Sequence, residues 1–511
     1  MGAAGTGEAR EESGGASIEA GCALVAAPWG ADRAGSPAVD AEAVRGVCGL
    51  ARLEETLDPQ GSSVQPVARS QGLGVAPSGS ADQPHGRRLA SSPSPSPVPA
   101  SLAIVDGPEE SDSGDAALSS VPGSSAFGTS VAFAGDLDSD GVDDFLVGAP
   151  KRSFSSPTVS NGGTVFMCYM ASGGGVREVE ELAFAEGDAS LGGGSFGSSI
   201  AVVSGWGLES PLLFLTGGTG SSGGGLGLVS APTAASAALS WRIAPGSAAW
   251  PGGSVSGNVM LGQAVAFLSP TWHPSEGGVV AVGAPKLGWG SVLVCRLAAN
   301  GTISGGVRLS TATEGLESVV DSSMAFGAAI ASQHNHGVFL LMVGAPDFDR
   351  PGLLNQDGAV VLISLNATTL GVITARRFDT SLPKLSPFGQ DLSGFGSSVE
   401  WLGRWGTWGS ERSVAVGAPN TDRGLLSYDR GAVFILIMDY EGQLESVFEV
   451  DDTKLGSGGY LPVNSYAGMG LATGTGGKLA VGASGLGTKG GLVDLSLNLV
   501  VQGTWPSASP P

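Results

Sequence analysis

The sequence predicts an all-β fold, a ring of seven four-stranded antiparallel blades. Three observations point there. A two-part signal recurs along the chain, the stretches around it are strand-like, and glycine is too abundant for a helical protein. Glycine accounts for 85 of 511 residues, against a usual share of about 7%. It weakens helix interiors and suits a chain that turns often. Apolar residues make up 42%, enough for a packed core.

The signal opens at Phe127-Gly128-Thr129-Ser130-Val131 and continues at Val147-Gly148-Ala149-Pro150. The same pair returns as Phe196-Gly197 with Thr216-Gly217, Leu261-Gly262 with Val282-Gly283-Ala284-Pro285, and Phe326-Gly327 with Val343-Gly344-Ala345-Pro346. Phe395-Gly396 with Val416-Gly417-Ala418-Pro419 follows, and Met469-Gly470 with Val481-Gly482-Ala483 is weaker. Copies therefore start near 127, 196, 261, 326, 395 and 469. Each continues with a glycine and an apolar run, as at 163–168, 290–295, 358–363 and 431–436, then a fourth β-prone stretch. Short β-branched runs bounded by Gly, Pro, Ser and Asp are the strand signature. One such sheet cannot bury both faces, so the units must pack radially, as propeller blades do.

A degenerate first blade is expected from residue 16, with strands at 16–18, 22–28, 44–53 and 101–105. The propeller would then span 14–506. Residues 1–13 are expected to be disordered, 507–511 to be a tail, and 57–100, with its Ser-Pro run at 91–97, to be a low-complexity insertion. The last unit offers only 499–505 as a fourth strand, so ring closure is not readable.

Charge limits the partners. The formal net charge is −22, which repels phosphate and argues against nucleic acid. Four cysteines make no disulfide scaffold. No apolar run is long enough to span a bilayer, and no signal peptide is readable after Met1. Met1-Gly2 through Thr6 fits a myristoylation pattern only loosely.

The six copies resemble FG-GAP repeats, the blades of the seven-bladed propeller of integrin α chains. The resemblance runs from about residue 120 to 500. It implies a calcium loop between two strands of a blade, partner binding on a rim, and an extracellular or cell-surface setting. One unit carries the loop: Asp136, Asp138 and Asp140 at positions 1, 3 and 5, Gly141 at the turn, the Val142 carbonyl at 7 and Asp144 at 9. Hard oxygen donors in this number favour Ca²⁺ over Zn²⁺. The strand-like Phe145-Leu146-Val147 argues against an EF-hand, which needs helices on both sides and a Glu at position 12. The alternative is a solvated acidic turn.

Integrin α chains usually carry several such loops, and here the equivalent places hold Trp206, Trp272 with His273, His334 with His336, and Trp405 with Trp408. These side chains are expected to pack the loop where no ion does; the alternative is an exposed aromatic contact patch. Cys168 and Cys295 share one repeat position and read as core residues. Cys22 and Cys48 are a possible pair in an oxidising compartment. Asn300 and Asn366 head glycosylation sequons.

Catalytic motifs are weak. Gly193 to Gly197 matches a nucleophile elbow but overlaps a blade start, and Gly218 to Gly223 matches a dinucleotide loop but precedes a strand. Two similar loops, 349–358 and 422–431, lie on the opposite rim and are the first places to test for a partner. The expectation is a non-enzymatic calcium-binding propeller that presents loops to a protein or glycan, as in cell adhesion. The alternative is a hydrolase or lyase, or its accessory domain, with a channel-face active site on carboxylates that the sequence does not place.

Overall fold

Each repeat folds as one sheet because four apolar runs alternate with turns rich in residues that tolerate positive φ. The computed structural model describes residues 98–105 and most of 117–498. Blade one comprises Ser130–Gly135, Asp144–Ala149, Thr164–Met170 and Val176–Glu181, hydrogen-bonded in that order. Blade two comprises Phe196–Ser204, Leu212–Gly218, Gly225–Ala231 and Ala238–Ile243. Blade three has Val265–Phe267, Gly278–Ala284, Ser291–Leu297 and Ile303–Leu309, and blade four Ala329–Asn335, Val338–Ala345, Ala359–Asn366 and Val372–Phe378. Blade five has Ser398–Trp401, Arg412–Ala418, Ala432–Met438 and Leu444–Val450. In blade six, Ala467–Thr473, Lys478–Ala483 and Gly491–Asn498 are joined by Val98–Val105.

The second and third strands are buried almost throughout where described, while the fourth strands of blades one to five are mostly half-buried or exposed. That is why the middle strands read as continuous apolar runs. Core clusters form between neighbouring blades. One joins Phe127, Phe145 and Phe166 of blade one to Ala480 and Leu492 of blade six, so blade six packs directly on blade one.

The repeated glycines explain this packing. The Gly of each Phe-Gly pair has positive φ, +88° at Gly128 and +92° at Gly396, which turns its carbonyl toward the preceding blade. There the carbonyl meets the Gly of the Gly-Ala-Pro signal. A Cβ at Gly344 would lie 1.9 Å from the Gly396 oxygen, and one at Gly482 would lie 2.2 Å from the Gly128 oxygen. The second contact joins the last blade to the first. Serine hydroxyls add to three of these junctions: Ser130 donates to the Gly197 carbonyl (2.8 Å), Ser199 to Gly262 (2.9 Å) and Ser398 to Gly468 (2.6 Å).

The architecture corrects the expected blade count. The described residues form a six-bladed ring, and the Gly482–Gly128 contact leaves no gap for a seventh blade. The stretch 101–105 is a strand, as expected, but it completes the last blade, antiparallel to Gly491–Asn498 with Val105 opposite Leu492. In blade six the structural equivalent of Phe-Gly is Ala467-Gly468, because Ala467 bridges Gly431 as Phe395 bridges Gly358. The strands expected over 16–53, the insertion up to residue 97, and Cys22 with Cys48 lie outside the described residues.

Candidate metal centre and axial channel

The acidic loop sits between the first two strands of blade one. Its backbone is wound around its own carboxylates. Asp140 donates its N–H to Asp136 Oδ1 (3.1 Å) and Asp138 Oδ1 (3.2 Å), and Gly141 donates to Asp136 Oδ2 (2.9 Å). Val142 donates to Asp140 Oδ1 (2.9 Å). Ser139 and Gly141 take positive φ, +64° and +87°, and Gly141 does so without the strain a side chain would bring. Asp144 is buried at the start of a strand. Its two oxygens accept N–H groups from Leu137 (2.8 Å) and Met170 (3.0 Å). Burial nonetheless pushes its carboxyl up to about 6, with Asp138 and Asp140 adding to the rise.

One oxygen each from Asp136, Asp138 and Asp144 lies within 4.8 Å of the others. Ca²⁺ binds oxygen at about 2.3–2.6 Å, so oxygens on one coordination sphere lie up to roughly 5 Å apart. Asp140 is not in that group. Its Oδ2 accepts from Arg177 Nη1 (2.7 Å), while the other guanidinium nitrogen bonds Asp138 Oδ2. A guanidinium thus already stands as a cation among these carboxylates, and the donor set is all oxygen. Both fit a hard cation.

The equivalent loops differ as their sequences suggest. Blade four has a two-residue hairpin, His336-Gly337, with φ of +42° and +81°, the type I′ signature. It has no room for an ion loop, and His334 packs against Phe339 with tilted rings 5.5 Å apart. Trp272 packs against Trp241 and Phe267 at 6.3 and 6.1 Å, as the packing expectation requires, and His273 is exposed. Trp206, Trp405 and Trp408 lie outside the described residues. Cys168 and Cys295 are free and buried, and burial raises both thiols. Gly193–Gly197 opens blade two, and the Gly218 match is followed by the strand Gly225–Ala231. Of the two opposite-rim loops, 350–356 and 422–428 lie outside the described residues. Asp357 is buried and accepts from the Thr380 hydroxyl (2.9 Å).

The first strands line an axial channel. Four residues after each motif glycine stand Ala132, Ala201, Ala266, Ala331 and Ala472, but Glu400 in blade five. Glu400 faces this channel and accepts from the Thr473 hydroxyl (3.0 Å). Burial pushes its carboxyl up to about 7, against the opposing hydrogen bonds from Thr473. Sequence reading missed it, although a column of five alanines broken by one glutamate was the signal.

Residues 127–166 match the FG-GAP repeat family, in agreement with the resemblance carried by the motif copies. No curated protein matches the chain. Similar solved structures include a thermostable family-43 glycoside hydrolase, 15% identical, with a TM-score of 0.33, over 62% of this chain and 93% of that one. Another is a family-43 arabinoxylan arabinofuranohydrolase from Bacillus subtilis in complex with cellotetraose, 11% identical, TM-score 0.34, over 60% and 63%. A third is an α-L-arabinofuranosidase from Clostridium thermocellum, 11% identical, TM-score 0.30, over 60% and 90%. At these scores the likeness transfers no substrate and no residue role. The solved structures named here are hydrolases, so the expectation of a chain that is not an enzyme gains no support from them. No helix among the described residues is long and apolar enough to cross a membrane.

Proposed function

We propose that the chain is a calcium-binding propeller that captures a protein or glycan ligand on a rim, in an extracellular or cell-surface setting. The observation that carries the calcium reading is the convergence of Asp136, Asp138 and Asp144 around a loop already wound for an ion. Asp136, Asp138, Asp140, the Val142 carbonyl and Asp144 would be the ligands. A bound ion would offset the repulsion among the carboxylates and pin the loop between two strands. Calorimetric titration with CaCl₂ tests this. Wild type is expected to bind with a Kd of about 10⁻⁵–10⁻³ M, and the Asp136→Ala/Asp140→Ala double variant to give no binding heat. Equal heat from both proteins would remove the site.

Glu400 favours a second reading, hydrolysis at the channel. A carboxyl with a pKa near the working pH can both donate and accept a proton. Glycoside hydrolysis ordinarily needs two carboxyls about 5–9.5 Å apart, and Glu400 is the one carboxyl among the described channel residues. The second would have to come from outside them or from the substrate. Glu400→Gln is then expected to abolish turnover in glycosidase assays run with and without chelator; turnover that survives would exclude Glu400 as the proton-transfer group.

The same variant has a stability signature. The folded protein keeps a Glu400 proton that the unfolded chain loses near its ordinary pKa of 4.5. Wild-type stability therefore falls as pH rises from about 4.5 to about 7 and is level above. Glu400→Gln should match wild type at pH 4 and exceed it by roughly 3 kcal/mol at pH 8, read by urea melts.

A further inference from the structure

Arg177 belongs to the fourth strand of blade one, yet it is the residue that strand pairing leaves out. Glu178 pairs with Tyr169 and Val176 with Met170, so Arg177 is the extra residue of a bulge. A bulge re-aims a side chain out of the regular alternation. The same bulge recurs in blades three, four and five, where the extra residue is Ser304, Ile373 and Glu445. Among these blades, the one whose first loop carries the carboxylates is the one that puts an arginine there. The guanidinium bonds Asp138 and Asp140 and lies 6.0 Å from the Tyr169 ring centroid. Asp140, which it bonds, is also the loop carboxylate that does not join the oxygens of Asp136, Asp138 and Asp144.

We propose that Arg177 is a built-in counter-ion that competes with calcium for Asp138 and Asp140, so that ion binding is an exchange of one cation for another. The inference rests on the calcium reading above. Without the ion, the guanidinium offsets the repulsion between the two carboxylates and keeps the loop wound. When the ion enters, the guanidinium must leave both oxygens, and the lost pairing weakens the apparent affinity. An arginine suits this role because its planar fork spans two carboxylates, whereas a lysine acts as a point charge. Removing the arginine therefore has opposite effects on the two states, which a merely structural role would not produce.

The test compares wild type, Arg177→Met, Arg177→Lys and the Asp136→Ala/Asp140→Ala variant by CaCl₂ calorimetry, with thermal unfolding in chelator. Arg177→Met is expected to bind Ca²⁺ about tenfold tighter than wild type, since a positive charge at contact distance opposes the ion, and to melt lower in chelator. Arg177→Lys should fall between. If wild type binds and Arg177→Met binds no tighter, the exchange is overturned while the calcium site stands. A higher melting point of Arg177→Met in chelator also overturns it. If neither wild type nor Arg177→Met binds, the calcium reading fails and the exchange fails with it. Binding by Arg177→Met alone supports the exchange in its strongest form.

Discussion

Gly344→Ala is expected to destabilise the ring by about 3–5 kcal/mol, the upper end of single-substitution effects. The added methyl would sit 1.9 Å from the Gly396 carbonyl oxygen and 2.9 Å from both the Gly396 carbonyl carbon and the Ala329 Cβ. Two of these neighbours are backbone atoms of the next blade, so no rotamer change relieves the clash. Blades four and five would have to separate, opening the core cluster that joins Val360 and Phe378 to Phe395 and Phe434. The control is Gly305→Ala, whose Cβ meets nothing within 4 Å. Strand glycines are disfavoured relative to alanine by roughly 0.5–1 kcal/mol, so that change should be neutral or slightly stabilising. Urea melts of both variants decide the matter. A Gly344→Ala shift no larger than that of Gly305→Ala would mean that this junction tolerates separation, and the account of the repeated glycines would fall.

The repeat was legible because it records a contact made at every junction. A positive-φ glycine and a facing glycine without a Cβ are needed each time, so the same residues recur at the same spacing. The acidic loop was legible for a similar reason, since its donors are close in sequence. What was not legible depended on distance along the chain. The stretch 101–105 reads as a strand, but nothing local says that its partner is Gly491–Asn498. Main-chain pairing has no residue code, and the resemblance to a seven-bladed ring favoured a neighbour close in sequence. The sixth motif shifted by two residues because Ala467 stands where other blades have Phe or Leu, which removed the marker. Glu400 and Arg177 escaped because each is a departure from the repeat. A reading that rewards similarity between copies passes over the positions where one blade differs.

Excising the strand Val98–Val105 is expected to cost several kcal/mol and to make the protein prone to association. Seven positions of this strand pair with Gly491–Asn498, and a typical intramolecular hydrogen bond contributes about 0.5–1.5 kcal/mol net. The conformational entropy regained by the freed residues offsets part of that loss. The ring itself should stay closed, because the Gly482–Gly128 contact and the core between blades six and one do not use this strand. Blade six would instead be left with three strands, and Gly491–Asn498 would present an unpaired edge, the kind that recruits other chains. A protein comprising residues 107–511 should therefore melt below the full chain and elute partly as larger species. A synthetic peptide of residues 97–106 should bind the vacant edge by strand addition, raising the melting point and restoring the elution profile of the full chain. A scrambled peptide of the same composition should do neither. If the shortened protein melts with the full chain, or if both peptides act alike, Val98–Val105 is not the strand that completes the last blade.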